Sequence, residues 1–506
     1  MSTPQDKFAQ SLAVLKKIQD KGIVAIQTKI LTRTHRECLV NNGFIKEVIK
    51  GWYIPARPED PAGESTAWYA SFWGFCADYF KSRFGNQWCL SPEQSLNIHS
   101  GNWNVPKQLL VRTPKGGNKP IFLLHDTSII DVRLKLPDKQ DIESKENIQL
   151  ITLSAALVSC SPSYYSNNPV EARAALSMIS DASEILHKLL KGGHSTIAGR
   201  IAGAFRNIGR NAIADNIIGT MKAAGYSITE NDPFEQKAAI IFGERELSPY
   251  VNRIRMSWAE MRGIVLENFP QAPSSRKDDQ EYLKHVDEIY LTDAYHSLSI
   301  EGYRVSEELI ERVRSGGWNP ENNRKDKKYS DALAARGYWQ AFQAVKESLT
   351  KIFNENSAGQ VVNNDHSVWY RELFAPSVSA GITAASDLAG YRNQPVYIRK
   401  SMHAPPRHEA IRDLMPAFFT LLQEEEEPAV RAVLGHFFFV YIHPYIDGNG
   451  RMGRFLMNVM LASGGYPWTV IPFNTRNEYM ATLEEASVRK NIEPFARFIA
   501  GLLTSD

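Results

Sequence analysis

The chain has 506 residues, 43% of them hydrophobic and 23% charged, and a formal net charge of +2. A chain of this length exceeds what one hydrophobic core organises, so the composition indicates a globular protein of three or four domains. The nearly balanced charge excludes a protein that is polycationic along its whole length.

The apolar and cysteine patterns indicate the compartment. The N-terminus does not read as a secretory signal, and the most apolar run, AVLGHFFFVYI at 432–442, is short and contains His436. We therefore expect a cytoplasmic protein with no membrane partner. The four cysteines show no CxxC spacing, which predicts reduced thiols rather than a disulfide framework or a cysteine-rich zinc site.

The N-terminal segment is the basic end of the chain. Residues 1–55 contain nine Lys or Arg against four Asp or Glu, a net charge of +5 that leaves −3 for the rest. Helices are predicted at 8–20, near 26–31 and from LTRTHRECLVNNG onward, and FIKEVIKGWYIPA predicts a hairpin that turns at Lys50 and Gly51. Three helices and a hairpin predict a winged helix-turn-helix over this segment.

The start of the third predicted helix carries side chains suited to nucleic acid. Arg33, His35 and Arg36 would lie where side chains and backbone amides meet phosphates and base edges. We therefore predict duplex DNA as a partner of this helix. Small folds of this type also mediate protein contacts, and that alternative stays open.

The region after the predicted winged helix has a mixed and a helical part. Residues 56–145 are predicted to be α/β, with strands at QLLVRT and PIFLLH, and residues 146–238 to form a helical linker domain. Over about 1–140, the winged-helix segment with WCLSPEQSLNIHSGNW and LLVRTP resembles the antitoxin regulators of type IV abortive-infection systems. The resemblance implies that the winged helix binds operator DNA.

The C-terminal part, residues 239–506, has mostly helical patterns and contains a dense polar cluster, HPYIDGNGRMGR at 443–454. The acidic run before Pro428 predicts a helix start, because acidic side chains favour the positive end of the helix dipole and proline suits the first turn. That helix should end before His443. A second helix should follow the IDGNG loop and end at Gly464.

The loop between these helices has the composition of an anion site. Gly448, Asn449 and Gly450 can turn their backbone amides toward one point at a helix N-terminus. Arg451 and Arg454 lie three positions apart on that helix, so both can reach one polyphosphate. The loop therefore predicts phosphate binding.

Asp447 and His443 add groups that a phosphate site alone does not use. A carboxylate beside a phosphate can hold Mg²⁺, and a histidine there can accept a proton from an attacking hydroxyl. Taken singly, the aspartate would be a turn former and the histidine a structural residue. Their density favours transfer of a group from a nucleotide.

The same twelve residues resemble the Fic family signature HPFx(D/E)GNGRxxR at every defining position, with Tyr445 in place of the usual phenylalanine. The resemblance extends over about 240–506 and includes AGYRNQPVYI and HAPPRHEAIRDLM. It implies a helical domain that transfers AMP from ATP to a Ser, Thr or Tyr hydroxyl and releases pyrophosphate. Transfer of other nucleotides or of phosphocholine stays open.

The resemblance also implies a role for each residue of the signature. His443 would deprotonate the target hydroxyl, Asp447 would hold Mg²⁺, and Arg454 would bind the γ-phosphate of ATP. The residues that would hold the α- and β-phosphates are Gly448, Asn449, Gly450 and Arg451.

A β-hairpin flap is expected ahead of the signature. PVYIRKSM at 395–402 corresponds to the flap of the Fic family, whose exposed edge would hold a target segment as an added strand. Val396, Tyr397 and Ile398 are assigned to target binding. An ordinary surface hairpin is the alternative.

An upstream motif, AYHSLSIEGY at 294–303, places Ser297 and Glu301 on one face of a predicted helix. It resembles the inhibitory motif (S/T)xxxE(G/N) of the Fic family, with the inhibitory helix near 283–302. The resemblance implies that Glu301 pairs with Arg454 and restrains productive binding of ATP.

The predicted fold is mainly α: an all-helical Fic domain with a small β-hairpin flap, preceded by a winged helix-turn-helix and a mixed α/β region. The predicted function is that of an autoinhibited protein adenylyltransferase that uses ATP and Mg²⁺ and acts on a hydroxyl of a target protein or of itself. The alternative is a DNA-binding transcriptional regulator or antitoxin that uses its Fic domain as a nucleotide sensor. Removal of AMP and assembly as a homodimer also stay open.

Overall fold

The chain forms two compact units, which are described separately. The first comprises Met1–Pro249 and Tyr397–Ala404, and the second comprises Tyr250–Val396 and Pro405–Asp506. The residues that the computed structural model describes are 4–58, 65–238, 240, 248–273, 279–318, 329–354 and 356–503. The fold is mainly helical, as predicted.

The first unit combines helices with small sheets. Its helices are α1 (Pro4–Gln19), α2 (Arg33–Asn41), α3 (Thr66–Phe84), α4 (Pro92–His99), α5 (Leu153–Ser159), α6 (Ser163–Asn167), α7 (Pro169–Ser177), α8 (Ser183–Gly192), α9 (Ser195–Asn207) and α10 (Asn211–Ala223). Its strands are β1 (Ile26–Gln27), β2 (Ile45–Ile49), β3 (Trp52–Pro55), β4 (Cys89–Leu90), β5 (Gln108–Thr113), β6 (Pro120–Phe122), β7 (Ser128–Arg133), β8 (Ile142–Lys145) and β9 (Ile148–Ile151).

The N-terminal part of this unit has its own small core. Strands in the order β1-β3-β2 pack with α1 and α2 around a separate cluster of buried apolar side chains. The predicted β2–β3 hairpin is present, but the predicted helix near 26–31 is wrong. Ile26 pairs with Tyr53 at the free edge of β3, so the chain enters as a strand and only Thr28–Ile30 forms a 3-10 turn.

The central sheet of the first unit has the strand order β4-β5-β7-β6. The predicted strand QLLVRT is β5, and PIFLLH begins as β6. Helix α3 contributes Trp68, Phe72 and Phe75 to the core of this region, and all three side chains are buried. Their spacing of four and three residues puts them on one helix face, which explains why this stretch folds as a buried helix.

The predicted β-hairpin flap at 395–402 is wrong, because none of these described residues lies in a strand. Its backbone groups have other partners within the first unit. Lys400 N donates to Thr66 Oγ1 at 3.1 Å, and Val105 N donates to Met402 O at 3.1 Å. Two backbone groups of this segment are therefore bonded to the first residue of α3 and to the loop before β5 instead of to each other.

Among the described residues of the second unit, the regular secondary structure is helical. Its helices are α11 (Pro249–Asn268), α12 (Asp279–Ile300), α13 (Glu307–Arg314), α14 (Tyr329–Phe353), α15 (Ala358–Ser379), α16 (Ile411–Glu424), α17 (Pro428–Ile442), α18 (Asn449–Ser463), α19 (Arg476–Arg489) and α20 (Glu493–Leu503). Helices α17 and α18 match the two helices predicted around the polar cluster.

Helix α17 lies at the centre of this unit because it is apolar on all sides. Its residues from Val433 to Phe439 are buried. Its one polar core side chain, His436, is paired through Nε2 with the Tyr479 hydroxyl at 2.8 Å. In the part of the chain that the structure describes, no helix is both long and apolar enough to cross a bilayer.

Cys38, Cys76, Cys89 and Cys160 are free thiols, as predicted. The predicted domain limits stay predictions. The limit at 238/239 falls where the described residues are interrupted, because residue 239 lies outside them.

Candidate active site

His443 lies at the C-terminal end of α17, where the helix stops. Its backbone is left-handed, with φ 53° and ψ 59°, while its amide still donates to Phe439 O at 3.0 Å. A non-glycine residue rarely adopts this conformation, which is found preferentially at functional sites. Pro444 follows and cannot extend the helix, because it has no N–H group.

The imidazole of His443 is arranged as a neutral base. Its Nδ1 lies 3.2 Å from Val440 O, and against a carbonyl only a protonated nitrogen can donate. Burial, with a smaller effect of the Arg392 guanidinium, lowers the pKa of His443 to about 4. At neutral pH the ring is therefore uncharged, and Nε2 carries the lone pair that a general base needs.

Arg392, which the sequence analysis did not single out, fixes the end of α17. Its Nε donates to His443 O at 2.7 Å, and its backbone amide donates to Pro444 O at 2.9 Å. The side chain is buried, and a cation at this position satisfies the last carbonyls of a helix and opposes the negative end of its dipole. Arg392 therefore holds the backbone from which the His443 ring projects.

The loop after His443 is closed by the side chain of Asn449. Tyr445 N donates to Asn449 Oδ1, and Asn449 Nδ2 donates to Tyr445 O, both at 2.9 Å. The Tyr445 ring stacks on Tyr370 with centroids 3.8 Å apart and planes 8° apart. The family resemblance implies that Asn449 binds phosphate. Because its side chain is bonded to the Tyr445 backbone, only the backbone amide of Asn449 is left for a phosphate.

The N-terminus of α18 is the part of the site suited to an anion. Its first helical hydrogen bond runs from Met452 N to Gly448 O at 3.0 Å, so the preceding amides have no acceptor within the helix. The positive end of the dipole adds to this attraction for an anion. Gly448 has φ 79°, and a Cβ there would lie 2.7 Å from Phe374 Cε2, so both conformation and space require glycine.

Arg454 points from α18 toward the end of α12. The side chain is only 4% exposed. Its Nε donates to Ser297 Oγ at 2.8 Å, and its Nη2 donates to Ser297 O at 3.1 Å and to Glu301 Oε1 at 2.7 Å. The sequence motif at 294–303 and the signature at 443–454 therefore meet in one site.

The Glu301 carboxylate occupies the anion position above α18. A Cβ built on Gly450 would collide with Glu301 Oε1, so the carboxylate lies directly against the first turn of the helix. Burial favours the neutral acid, but Arg454 and Arg451 outweigh it and hold the pKa of Glu301 below its usual value. Burial likewise opposes the charge of Arg454, yet Glu301 raises its pKa. Both members of the pair are ionised.

Asp447 is the carboxylate available to a metal ion. Its side chain is 63% exposed, its Oδ2 lies 3.5 Å from Arg451 Nη2, and its Oδ1 accepts from Gly448 N at 2.6 Å. Within the described ranges no group of three or more His, Cys, Asp or Glu side chains is placed to hold a metal. A single accessible carboxylate fits Mg²⁺, which takes most of its other ligands from water and substrate phosphates.

The residues predicted to contact macromolecules belong to the first unit, except for Val396. Val396, Tyr397 and Ile398 all lie in the segment that forms no hairpin. Val396 belongs to the second unit and the other two to the first, and Tyr397 is 46% exposed. At the start of α2, Arg33 is exposed and paired with Glu37 at 2.7 Å. The other two residues predicted to bind DNA, His35 and Arg36, are partly buried. His35 Nδ1 lies 2.9 Å from Ser11 Oγ.

Comparisons with known sequences concern the C-terminal part of the chain. Residues 368–461 match the model of the Fic/DOC family. Over 114 residues, 22% of the chain, the sequence is 41% identical to proteins of Nematostella vectensis and Drosophila yakuba and 40% identical to one of Drosophila grimshawi. Each is named protein adenylyltransferase Fic. The chain spans only 26%, 22% and 23% of their lengths, respectively.

Solved structures with similarity include Fic proteins from an animal and a bacterium. Fic-1 from C. elegans is 20% identical, with 63% of this chain and 89% of that chain covered and a TM-score of 0.36. A Fic domain containing signaling protein from Bacteroides thetaiotaomicron VPI-5482 is 20% identical, with 50% and 92% covered and a TM-score of 0.34.

Proposed function

We propose that this protein is an autoinhibited protein adenylyltransferase that transfers AMP from ATP to a hydroxyl of a protein. The observation that carries the proposal is the Glu301 carboxylate. It lies against Gly450 at the N-terminus of α18 and pairs with Arg454 at 2.7 Å. An anion position built from helix amides and a buried arginine suits a phosphate of the nucleotide. The match of residues 368–461 to the Fic/DOC model agrees with this chemistry.

We assign His443 the role of general base. Nε2 would accept the proton of a Ser, Thr or Tyr hydroxyl as its oxygen attacks the α-phosphorus of ATP. The bond to the bridging oxygen then breaks, AMP becomes an ester of the target, and pyrophosphate leaves. Because Nδ1 is held by Val440 O, the ring presents the same nitrogen throughout.

The α18 N-terminus would stabilise the charge that develops on the phosphates. The amides at 449–451 and the Arg451 guanidinium would act on the α- and β-phosphates, and Arg454 on the γ-phosphate. Asp447 would hold Mg²⁺ together with phosphate oxygens, and the ion would neutralise charge on the leaving pyrophosphate. These groups lie on α18 or in the loop directly before it, so most of their positions are set before ATP binds, and the Glu301 carboxylate is the group that has to move.

Autoinhibition follows from competition for one guanidinium. In the structure Arg454 donates to Ser297 and Glu301, and a γ-phosphate would need the same donor. ATP would therefore reach the reactive pose only when the Glu301 carboxylate leaves the position above Gly450. The resting protein is expected to transfer AMP slowly.

The pH dependence of transfer provides a test of the base. Between pH 8 and 5.5 the rate is expected to change by less than about twofold through His443, because a base with a pKa of about 4 stays deprotonated. Protonation would abolish activity only as the pH falls through about 4. The measurement is kcat/KM for ATP against pH. A profile that loses half its rate near pH 6.5 would contradict the assigned state of His443.

Duplex DNA is a second candidate partner, bound through the start of α2. The supporting observation is the exposed Arg33 on the short helix that precedes the β2–β3 hairpin, in a segment of net charge +5. Two contacts engage the side chains that would attract DNA phosphates: Arg33 is paired with Glu37, and His35 is bonded to Ser11. Binding would therefore depend on breaking a surface ion pair, which costs little.

Titration of the full chain with a labelled duplex tests this partner. The affinity is expected to fall steeply between about 50 and 200 mM salt, since phosphate contacts release counterions. Arg33→Ala with Arg36→Ala should weaken binding, whereas Arg206→Ala, an ion-paired arginine far along the sequence, should not. If no binding occurs at the lowest salt, protein contact becomes the better interpretation of this segment.

A further inference from the structure

The turn that carries the inhibitory carboxylate also carries Tyr303. After α12 the chain reverses through Gly302, which has φ 94°. Tyr303 N donates to Leu298 O at 3.1 Å and closes the helix end. This bond fixes the backbone of Tyr303 relative to that of Glu301, two residues earlier, so both side chains start from one closed turn.

The Tyr303 ring lies on the guanidinium of Arg451. The Arg451 Cζ is 5.3 Å from the Tyr303 centroid and 5.1 Å from the Phe374 centroid, so aromatic rings from two helix regions flank the cation. Arg451 is only 1% exposed, and in a desolvated place such cation–π contacts are at their strongest. Burial raises the pKa of Tyr303, so the ring remains a neutral phenol.

The two rings do not fill the hydrogen-bonding capacity of Arg451, although the Tyr303 hydroxyl lies within hydrogen-bonding reach of its guanidinium. Its nearest acidic group, Asp447 Oδ2, is 3.5 Å away, and its buried Nε has no hydrogen-bond partner among the described residues. A guanidinium stacks through its faces but donates through the N–H groups in its plane. Aromatic contacts therefore hold the cation while leaving donors for an anion, and an unsatisfied buried donor gains from one.

We propose that Tyr303 is a positioning residue of the nucleotide site, which holds the Arg451 guanidinium in the orientation that receives a phosphate of ATP. The inference rests on the proposed function of the same site. It gives one turn two opposite effects: the carboxylate of Glu301 restrains ATP binding, and the ring of Tyr303 supports it. Without the ring, Arg451 would sample other rotamers and lose part of its preorganisation.

The test compares Tyr303→Leu with Tyr303→Phe, each in the Glu301→Gly background so that transfer is measurable. Tyr303→Leu is expected to raise the KM for ATP by about threefold to thirtyfold with kcat little changed, because the lost contact is of cation–π strength. Tyr303→Phe keeps a ring and should match the background variant. Ser306→Ala, which removes the cap of the next helix, is the matched control for a general disturbance of this turn.

A binding measurement separates this inference from the proposed function. ATP affinity is measured by calorimetry for the same variants, and their folding is checked by thermal denaturation. Weaker ATP binding by Tyr303→Leu, restored by Tyr303→Phe, supports the inference even if no variant transfers AMP. Unchanged or tighter binding by folded Tyr303→Leu overturns it, because the ring would then be neutral or part of the restraint. If Tyr303→Phe is as defective as Tyr303→Leu, the hydroxyl rather than the ring matters, and the inference is wrong.

Discussion

Replacing His443 by alanine is expected to lower AMP transfer by about 10² to 10⁴-fold and to leave ATP affinity nearly unchanged, because a general base acts mainly in the transition state. The ring is neutral, and its Nδ1 is fixed by Val440 O, so the lost group is the Nε2 acceptor. The measurement is incorporation of labelled AMP, in parallel with ATP binding by calorimetry. Both are best made in the Glu301→Gly background, where the restraint is absent.

A second histidine of the same unit serves as the control for this prediction. His408 lies beside Glu409 in the 3-10 turn before α16, outside the signature sequence at 443–454, and His408→Ala is expected to keep the parent rate. A His443→Ala protein that transfers AMP as fast as its parent would rule out the assigned base. Loss of ATP binding in that variant would instead indicate that the imidazole supports the loop.

Replacing Glu301 by glycine is expected to raise AMP transfer by about tenfold to a hundredfold at subsaturating ATP. The pair with Arg454 is largely shielded from water, since the two side chains are 4% and 28% exposed. Such a pair could favour the closed state by about 1.5 to 3 kcal/mol, more than an exposed pair contributes. Removing the carboxylate frees both the guanidinium and the anion position above Gly450. The measurement is the initial rate of AMP incorporation against ATP concentration.

The gain should depend on the arginine that the carboxylate holds. Glu301→Gly combined with Arg454→Ala is expected to return to low activity, because no guanidinium then receives the γ-phosphate. Glu288→Gly removes a carboxylate from an exposed position of the same helix and should leave transfer unchanged. If Glu301→Gly stays at the parent rate while His443→Ala is inactive, the site is catalytic but is not gated by this residue.

The local geometry of the signature could be read from the sequence. The helix start at Pro428, the end before His443 and the second helix over 449–463 follow from dipole, proline and glycine preferences that act within a few residues. Once those helix ends are set, the spacing of Arg451 and Arg454 follows from helix periodicity. The role of the Asn449 side chain did not follow, because only the structure shows that its amide closes on Tyr445.

The flap illustrates where sequence reasoning fails. Residues 395–402 have the β-branched and aromatic composition of a strand pair. Yet the backbone N–H of Lys400 donates to the Thr66 hydroxyl, and the carbonyl of Met402 accepts from Val105 N. A short segment has only a weak intrinsic preference for the β conformation, so the segment against which it packs decides whether it forms a strand. That partner lies some 300 residues away in the sequence.

By itself, the sequence determined how the twelve residues at 443–454 are spaced and where the two helices around them begin and end, because these features depend on short-range helix and turn geometry. The tertiary structure decided what surrounds that cluster: Arg392 on the carbonyl of His443, Glu301 above Gly450, and the ring of Tyr303 on Arg451. These contacts join residues that are 51 to 149 positions apart. Neither hydrophobic periodicity nor helix capping constrains such distances, whereas the packing of α12, α15, α17 and α18 into one core brings these side chains together.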